Sequence, residues 1–221
     1  MRNNTKNSGL TLIELIIVVA IMAILTGVLT PMFLKYVEKS KKARDIYTAD
    51  QIARAANAAF AENPEAYQAF LDWGVKNGGL LKTVNVHVNG SKESYKVHLV
   101  AASGPQSASN TRSNCFNGTT GAFMSENGKA GKSDGSTGFY GVINRELGLS
   151  TTEMNDEMIP RYKAVGTGEE NKPRGGYAEV DRYRIVKRAD NGMMEIWVAQ
   201  PNPGGGYPVY RLWPEPDDEY R

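Results

Sequence analysis

Gly9-Leu10-Thr11-Leu12-Ile13-Glu14-Leu15-Ile16-Ile17-Val18-Val19-Ala20 opens an apolar run that continues to about Leu29. Glu14 is the only formal charge in the first half of that run. A carboxylate at bilayer depth costs roughly 2.5–3.5 kcal/mol on insertion scales, so a compensating partner is expected. As a helix, Leu10 to Leu29 would extend about 30 Å, enough to cross a hydrocarbon core. The preceding residues, Met1 to Gly9, are short, polar and basic, with Arg2 and Lys6 and no acidic side chain. A secretory signal has an apolar stretch of about 7–15 residues followed by a small-x-small cleavage site. Here the run is longer, and Thr26-Gly27-Val28-Leu29-Thr30-Pro31 offers no such site. The segment therefore reads as a retained membrane anchor.

The composition outside this run is that of a folded domain. In 221 residues, 41% are hydrophobic and 23% charged, which argues against disorder over the whole chain. The formal net charge of +2 gives no global case for a polyanionic partner. Cys115 is the single cysteine, so no intramolecular disulfide forms. No His or Cys motif surrounds it, and it reads as an inert thiol.

A short basic leader, a glycine, and an apolar helix with Glu at its fifth position resemble the processing motif of type IV prepilins. The motif is carried by Gly9-Leu10-Thr11-Leu12-Ile13-Glu14-Leu15, with Leu10 where Phe is commonest in the family. The resemblance is close over residues 1 to about 34. It implies cleavage between Gly9 and Leu10 by a prepilin peptidase and N-methylation of Leu10 by the same membrane enzyme. Glycine suits a scissile position because its backbone can approach a protease closely. Loss of Arg2 and Lys6 with the leader cancels the net charge of +2.

Cleavage would also give Glu14 its partner. The new amine on Leu10 lies one helical turn away in the same chain, or belongs to a neighbouring subunit in a filament. Buried together the two attract, and either alone is costly, so the pair acts as a register device for filament assembly. In the first turn, Glu14 also meets the favourable end of the helix dipole. Lys35, Lys39, Lys41, Lys42 and Arg44 follow the run, against Glu38 and Asp45. A bare positive-inside count would put this side in the cytoplasm. The resemblance implies the reverse, with the leader inside and the body outside.

Pro31 lacks an amide hydrogen and crowds the carbonyl of Gly27, itself a poor helix former, so residues 27–31 are expected to kink or melt. Beyond Pro31 the helical period continues. Ile46, Ala49, Ala53, Ala56 and Phe60 form one stripe, broadened by Ile52, Ala55 and Ala59. The stripe is expected to pack on a sheet of the same subunit, and Asn63-Pro64 to end the helix. From Leu10 to Glu62 it would be roughly 80 Å long. Its apolar half would then require lipid or neighbouring subunits.

The remainder reads as the head. Pro64 to Trp73 is expected as a short helix with Asn63 as its cap. Thr83–Val88 and Tyr95–Leu99 flank an Asn89-Gly90 hairpin turn. Tyr177–Lys187 and Met193–Ala199 flank a second turn at Asp190-Asn191-Gly192, and Tyr207–Trp213 adds a strand after the loop 201–206. Residues 101–138, rich in Ser, Gly, Asn and Thr, are expected as a long surface loop. Ser150-x-x-Glu153 reads as a capping box for a helix to about Met158. Glu215, Asp217, Asp218 and Glu219 read as a solvated acidic tail. The fold class is α+β: a long N-terminal helix, half transmembrane and half amphipathic, on an antiparallel sheet. The expected division is leader 1–9, helix 10–62 with 10–30 as membrane span or filament core, and head 63–221.

No enzyme constellation is found. Gly131-Lys132-Ser133 lacks the glycine that a phosphate loop needs, where the chain has Glu126. His87 and His98 are the only histidines, and no cluster completes a metal site, so neither metal nor cofactor is expected. Asn89-Gly90-Ser91 and Asn117-Gly118-Thr119 read as turns. Arg182, Arg184, Lys187 and Arg188 form a basic strand that offers a weak case for nucleic acid. The resemblance implies a structural subunit of a type IV pilus or pilus-like filament. It would be a single-pass cytoplasmic-membrane protein among lipid until an assembly platform extracts it. It would then polymerise with other pilin subunits, as a homopolymer or with minor pilins, into an extracellular filament on a bacterial surface. The alternatives are a minor or DNA-uptake pilin and a pseudopilin of a type II secretion system.

Overall fold

The computed structural model describes residues 11–65, 68, 81–103, 115–116, 138–150, 155–164, 179–200 and 207–221. It forms two compact units, Met1–Ser40 and Lys41–Arg221.

Helix α1 runs from Leu12 to Glu62, so the division between the units falls inside it. Ala-rich sequence from Ala49 to Ala59 favours helix intrinsically. Asn63 ends it: its backbone N–H and its Nδ2 both donate to the Ala59 carbonyl at 3.0 Å. In the second unit α1 buries Asp45, Thr48, Ala49, Ile52, Ala53, Ala55, Ala56 and Ala59. This is the expected stripe, with Ile46 and Phe60 partly buried at its edge. Of the helix expected over 64–73, Pro64, Glu65 and Gln68 are helical and the other positions lie outside the described residues.

The sheet is a five-stranded antiparallel meander in chain order: β1 Leu81–Val88, β2 Ser91–Ala102, β3 Arg182–Arg188, β4 Met194–Gln200 and β5 Tyr207–Trp213. Asn89 (φ 53°) and Gly90 (φ 73°) make the two-residue turn joining β1 and β2, both left-handed as a type I′ turn demands. Gly192 (φ 70°) serves the turn between β3 and β4. β3 begins at Arg182 rather than Tyr177, which lies outside the described residues.

Both faces of the sheet are buried. On one, the α1 alanines and Ile52 pack with Tyr183, Ile185, Ile196, Val198 and Leu212. On the other, Val84, Val86, Tyr95, Val97, Leu99, Val186 and Trp197 form a second core, as the sheet curls until β1 nears β5. A register shift between Leu99 and Ala101 turns Val100, Ala101 and Ala102 into the helix-side core.

Two expectations are corrected. The stretch 101–138 is not simply a surface loop. Ala101 and Ala102 are strand residues, Cys115 and Phe116 are buried, and Gly138 starts helix α2, Gly138–Glu146. Phe139, Tyr140, Val142 and Ile143 on α2 are buried, with Phe139 against Phe60 at 4.7 Å between ring centroids. Asn144 brackets the Phe116 backbone, accepting its N–H at 2.9 Å and donating to its carbonyl at 2.8 Å. Buried Asn144 thus satisfies backbone that burial would otherwise leave orphaned.

The acidic end is not a solvated tail. Asp217 is buried and accepts the His87 N–H at 2.9 Å. Asp218 accepts from Asn89 and Gly90, the Glu219 carboxylate accepts from the Tyr162 hydroxyl at 2.5 Å, and Tyr220 is buried. Of the two histidines, His87 pairs with Lys92, and His98 lies between Leu81 and Lys187. The expected helix at 150–158 is described only at its end, where Asp156–Met158 form one 3-10 turn; positions 151–154 lie outside the described residues. The loop 201–206, Gly131-Lys132-Ser133 and Asn117-Gly118-Thr119 lie outside them as well.

Candidate functional site

The apolar segment of α1 is the candidate site. Its large apolar residues from Leu12 to Leu34 are all exposed, from 44% at Val18 to 76% at Leu12. Among the described residues α1 is the one helix long and apolar enough to cross a membrane.

The start of the helix is built by two side chains. Thr11 stands just before it. The Glu14 Oε2 accepts the Thr11 N–H at 2.8 Å and the Thr11 hydroxyl at 2.8 Å, while the Glu14 N–H lies 3.4 Å from the Thr11 Oγ1. This reciprocal pairing is a capping box, which satisfies backbone donors that a helix start leaves open. Glu14 therefore has a local partner that the sequence reading did not name. The signal was present: Thr11-Leu12-Ile13-Glu14 has the Thr-x-x-Glu spacing applied instead at Ser150. Gly9 and Leu10, the expected cleavage and methylation positions, lie outside the described residues.

Gly27 and Pro31 both lie within α1. A Cβ at Gly27 would meet nothing within 4 Å, so packing inside the subunit does not demand glycine there. Pro31 removes the donor that the Gly27 carbonyl would otherwise accept. One residue before it, the Thr30 hydroxyl donates to the Thr26 carbonyl at 2.7 Å, a back-bond that tends to bend helices.

In the second unit, polar groups fix α1 to the head. Asp45 is fully buried and accepts the N–H groups of Arg161 (2.7 Å) and Tyr162 (2.9 Å) and the Tyr183 hydroxyl (3.0 Å). Burial pushes its carboxyl above the usual range, against these three bonds. Inside the curl, Glu195 accepts from the Tyr95 hydroxyl (2.8 Å), Trp197 Nε1 (2.8 Å) and Arg211 (3.2 Å). Burial raises its carboxyl too.

The basic strand does not present an open cationic strip. Arg184 is fully buried. Arg182 pairs with Asp181 at 2.6 Å, and Arg188 pairs with Asp190 at 2.7 Å while stacking over Tyr95. Lys187 sits over the Phe60 ring at 4.3 Å. The nucleic-acid reading thus loses the surface it rested on. Among the described residues no cluster of three or more His, Cys, Asp or Glu is placed to hold a metal ion.

Residues 4–30 match the model of the prokaryotic N-terminal methylation motif. The type IV major fimbrial protein FimA of Dichelobacter nodosus is 35% identical over 65 residues, which are 29% of this chain and 42% of the relative. The match thus spans less than half the length of that relative. No solved structure matches the chain. In its methylation motif, its fimbrial relative and a long apolar helix leading into an antiparallel sheet, the chain is similar to type IV pilins.

Proposed function

We propose that the chain is a structural subunit of a type IV pilus or pilus-like filament. The observation that carries this is the uncovered apolar stretch from Leu12 to Leu34, most of which lies within the methylation motif matched over residues 4–30. Exposed apolar area of this extent needs lipid or other subunits around it. A cytoplasmic-membrane prepilin peptidase removes 1–9 and methylates Leu10. The subunit waits as a single-pass membrane protein with head 63–221 outside, until an assembly platform moves helix 10–62 from lipid into a filament core.

Glu14 serves assembly in this scheme. Thr11 occupies its Oε2, and Oε1 is left to receive the Leu10 amine of its own or a neighbouring chain. Gly27 and Pro31 supply the soft point at which the helix bends or melts during that transfer.

Mass spectrometry of the mature chain tests the reading. The expected amino terminus is Leu10 bearing one added methyl group, and a start at Met1 would overturn it. Sheared filaments made mostly of this chain identify a major subunit. Recovery only beside another pilin identifies a minor one, and recovery with a secretion apparatus a pseudopilin.

A further inference from the structure

We infer that Lys35 and Lys39 dock on the anionic phospholipid headgroups of the leaflet facing the head, holding the unassembled subunit at a fixed depth. The inference rests on the membrane-stored subunit proposed above and names its lipid partner.

From Leu12 to Leu34 the helix rises about 33 Å, close to a hydrocarbon core of ~30 Å. Lys35, the first charge after Glu14, then falls at headgroup level. Lys35 and Lys39 are one turn apart on one helical face, both exposed, and neither has an ion-pair partner among the described residues. Phe33 and Tyr36 beside them are 67% and 75% exposed, the ring placement of an interfacial belt.

Charge complementarity decides the occupant. With the head outside, the chain carries its denser cationic flank on the side where the positive-inside rule disfavours it. Removal of Arg2 and Lys6 with the leader steepens that imbalance. A leaflet rich in anionic lipid offsets it, since each cation near such a surface gains several-fold in affinity and the gain fades with salt. In sequence the basic run continues through Lys41, Lys42 and Arg44, against Glu38 and Asp45.

The test places the full chain in nanodiscs of equal phosphatidylcholine and phosphatidylglycerol and reads the boundary lipid by spin-labelled analogues of each. The expected result is a several-fold preference for labelled phosphatidylglycerol, weakened by high salt. Lys35→Gln with Lys39→Gln should cut that preference by about half or more, and Lys35→Arg with Lys39→Arg should retain it. Equal partition around an inserted wild-type chain overturns this inference alone, whereas a chain that never enters the bilayer overturns the anchoring reading as well. A Gln pair that keeps the lipid preference but loses filaments would assign these lysines to acidic groups of a neighbouring subunit, and so overturn it too.

Discussion

The Asp218 carboxylate straddles the turn of the β1–β2 hairpin, its Oδ1 accepting the N–H of Asn89 at 2.9 Å and its Oδ2 that of Gly90 at 2.8 Å. Beside it, Asp217 takes the N–H of His87 on the outer edge of β1. Two consecutive acids thereby tie the end of the chain to its first hairpin, in a head whose single cysteine cannot form an internal staple.

Asp217→Ala leaves the His87 N–H without its acceptor. The cost expected for a stranded, partly buried donor is about 1–3 kcal/mol. Urea unfolding of the full chain in detergent measures it, and an unchanged midpoint would show that the clasp adds nothing.

Acid acts on Asp218 with a defined sign. The N–H of Gly90, then that of Asn89, hold its carboxyl below the usual carboxylate range. The folded state thus binds this proton less readily than the unfolded state. Its contribution is present above the usual range and is lost as pH falls through the depressed value. The stability gap between wild type and Asp218→Asn should therefore close as a melting series is taken to low pH. A gap independent of pH would refute the assignment. Asp45, Glu195 and Asp217 are displaced upward by burial, so their own contributions run oppositely and fall as pH rises.

Glu195 and Arg211 form a buried pair inside the curl, at 3.2 Å. Glu195→Ala strands the guanidinium and is expected to cost about 3–5 kcal/mol, whereas replacing both partners by apolar residues should recover much of that loss. Thermal melts of the two variants make the comparison. A double variant as unstable as the single one would show that shape rather than charge governs the site.

At the other end of the chain, Glu14→Ala should insert in the membrane and be processed, yet give few filaments on shearing. Thr11→Val removes one hydroxyl donor but keeps the backbone N–H, so its filament yield should fall less. Equal yields from Glu14→Ala and wild type would leave Glu14 as a helix cap and nothing more.

Local chemistry was legible in the sequence where it was self-contained. Asn89-Gly90 announced its turn because both positions need φ above zero, and the alanine stripe of α1 announced its buried face through period alone. The clasp was not legible, because Asp217 and Asp218 act on residues far away in sequence and otherwise look like solvated acids. Helix α2 hid beside Ser- and Gly-rich sequence, although Phe139, Tyr140, Val142 and Ile143 have helical spacing. Strand β4 is buried along its whole length, and Glu195 is accommodated inside it only because the curl brings Tyr95, Trp197 and Arg211 to its carboxylate. At the candidate site Glu14 stands out in sequence as a costly charge, whereas Thr11 shows its role only through its bonds to the Glu14 carboxylate.

The clasp also sets a timetable. The groups that secure His87, Asn89 and Gly90 come about 130 residues later in the chain. During synthesis the first hairpin must wait, its outer edge unsecured, until the segment that bears Asp217 and Asp218 has been made. An unfinished head would thus carry one simple signature: an open β1 edge.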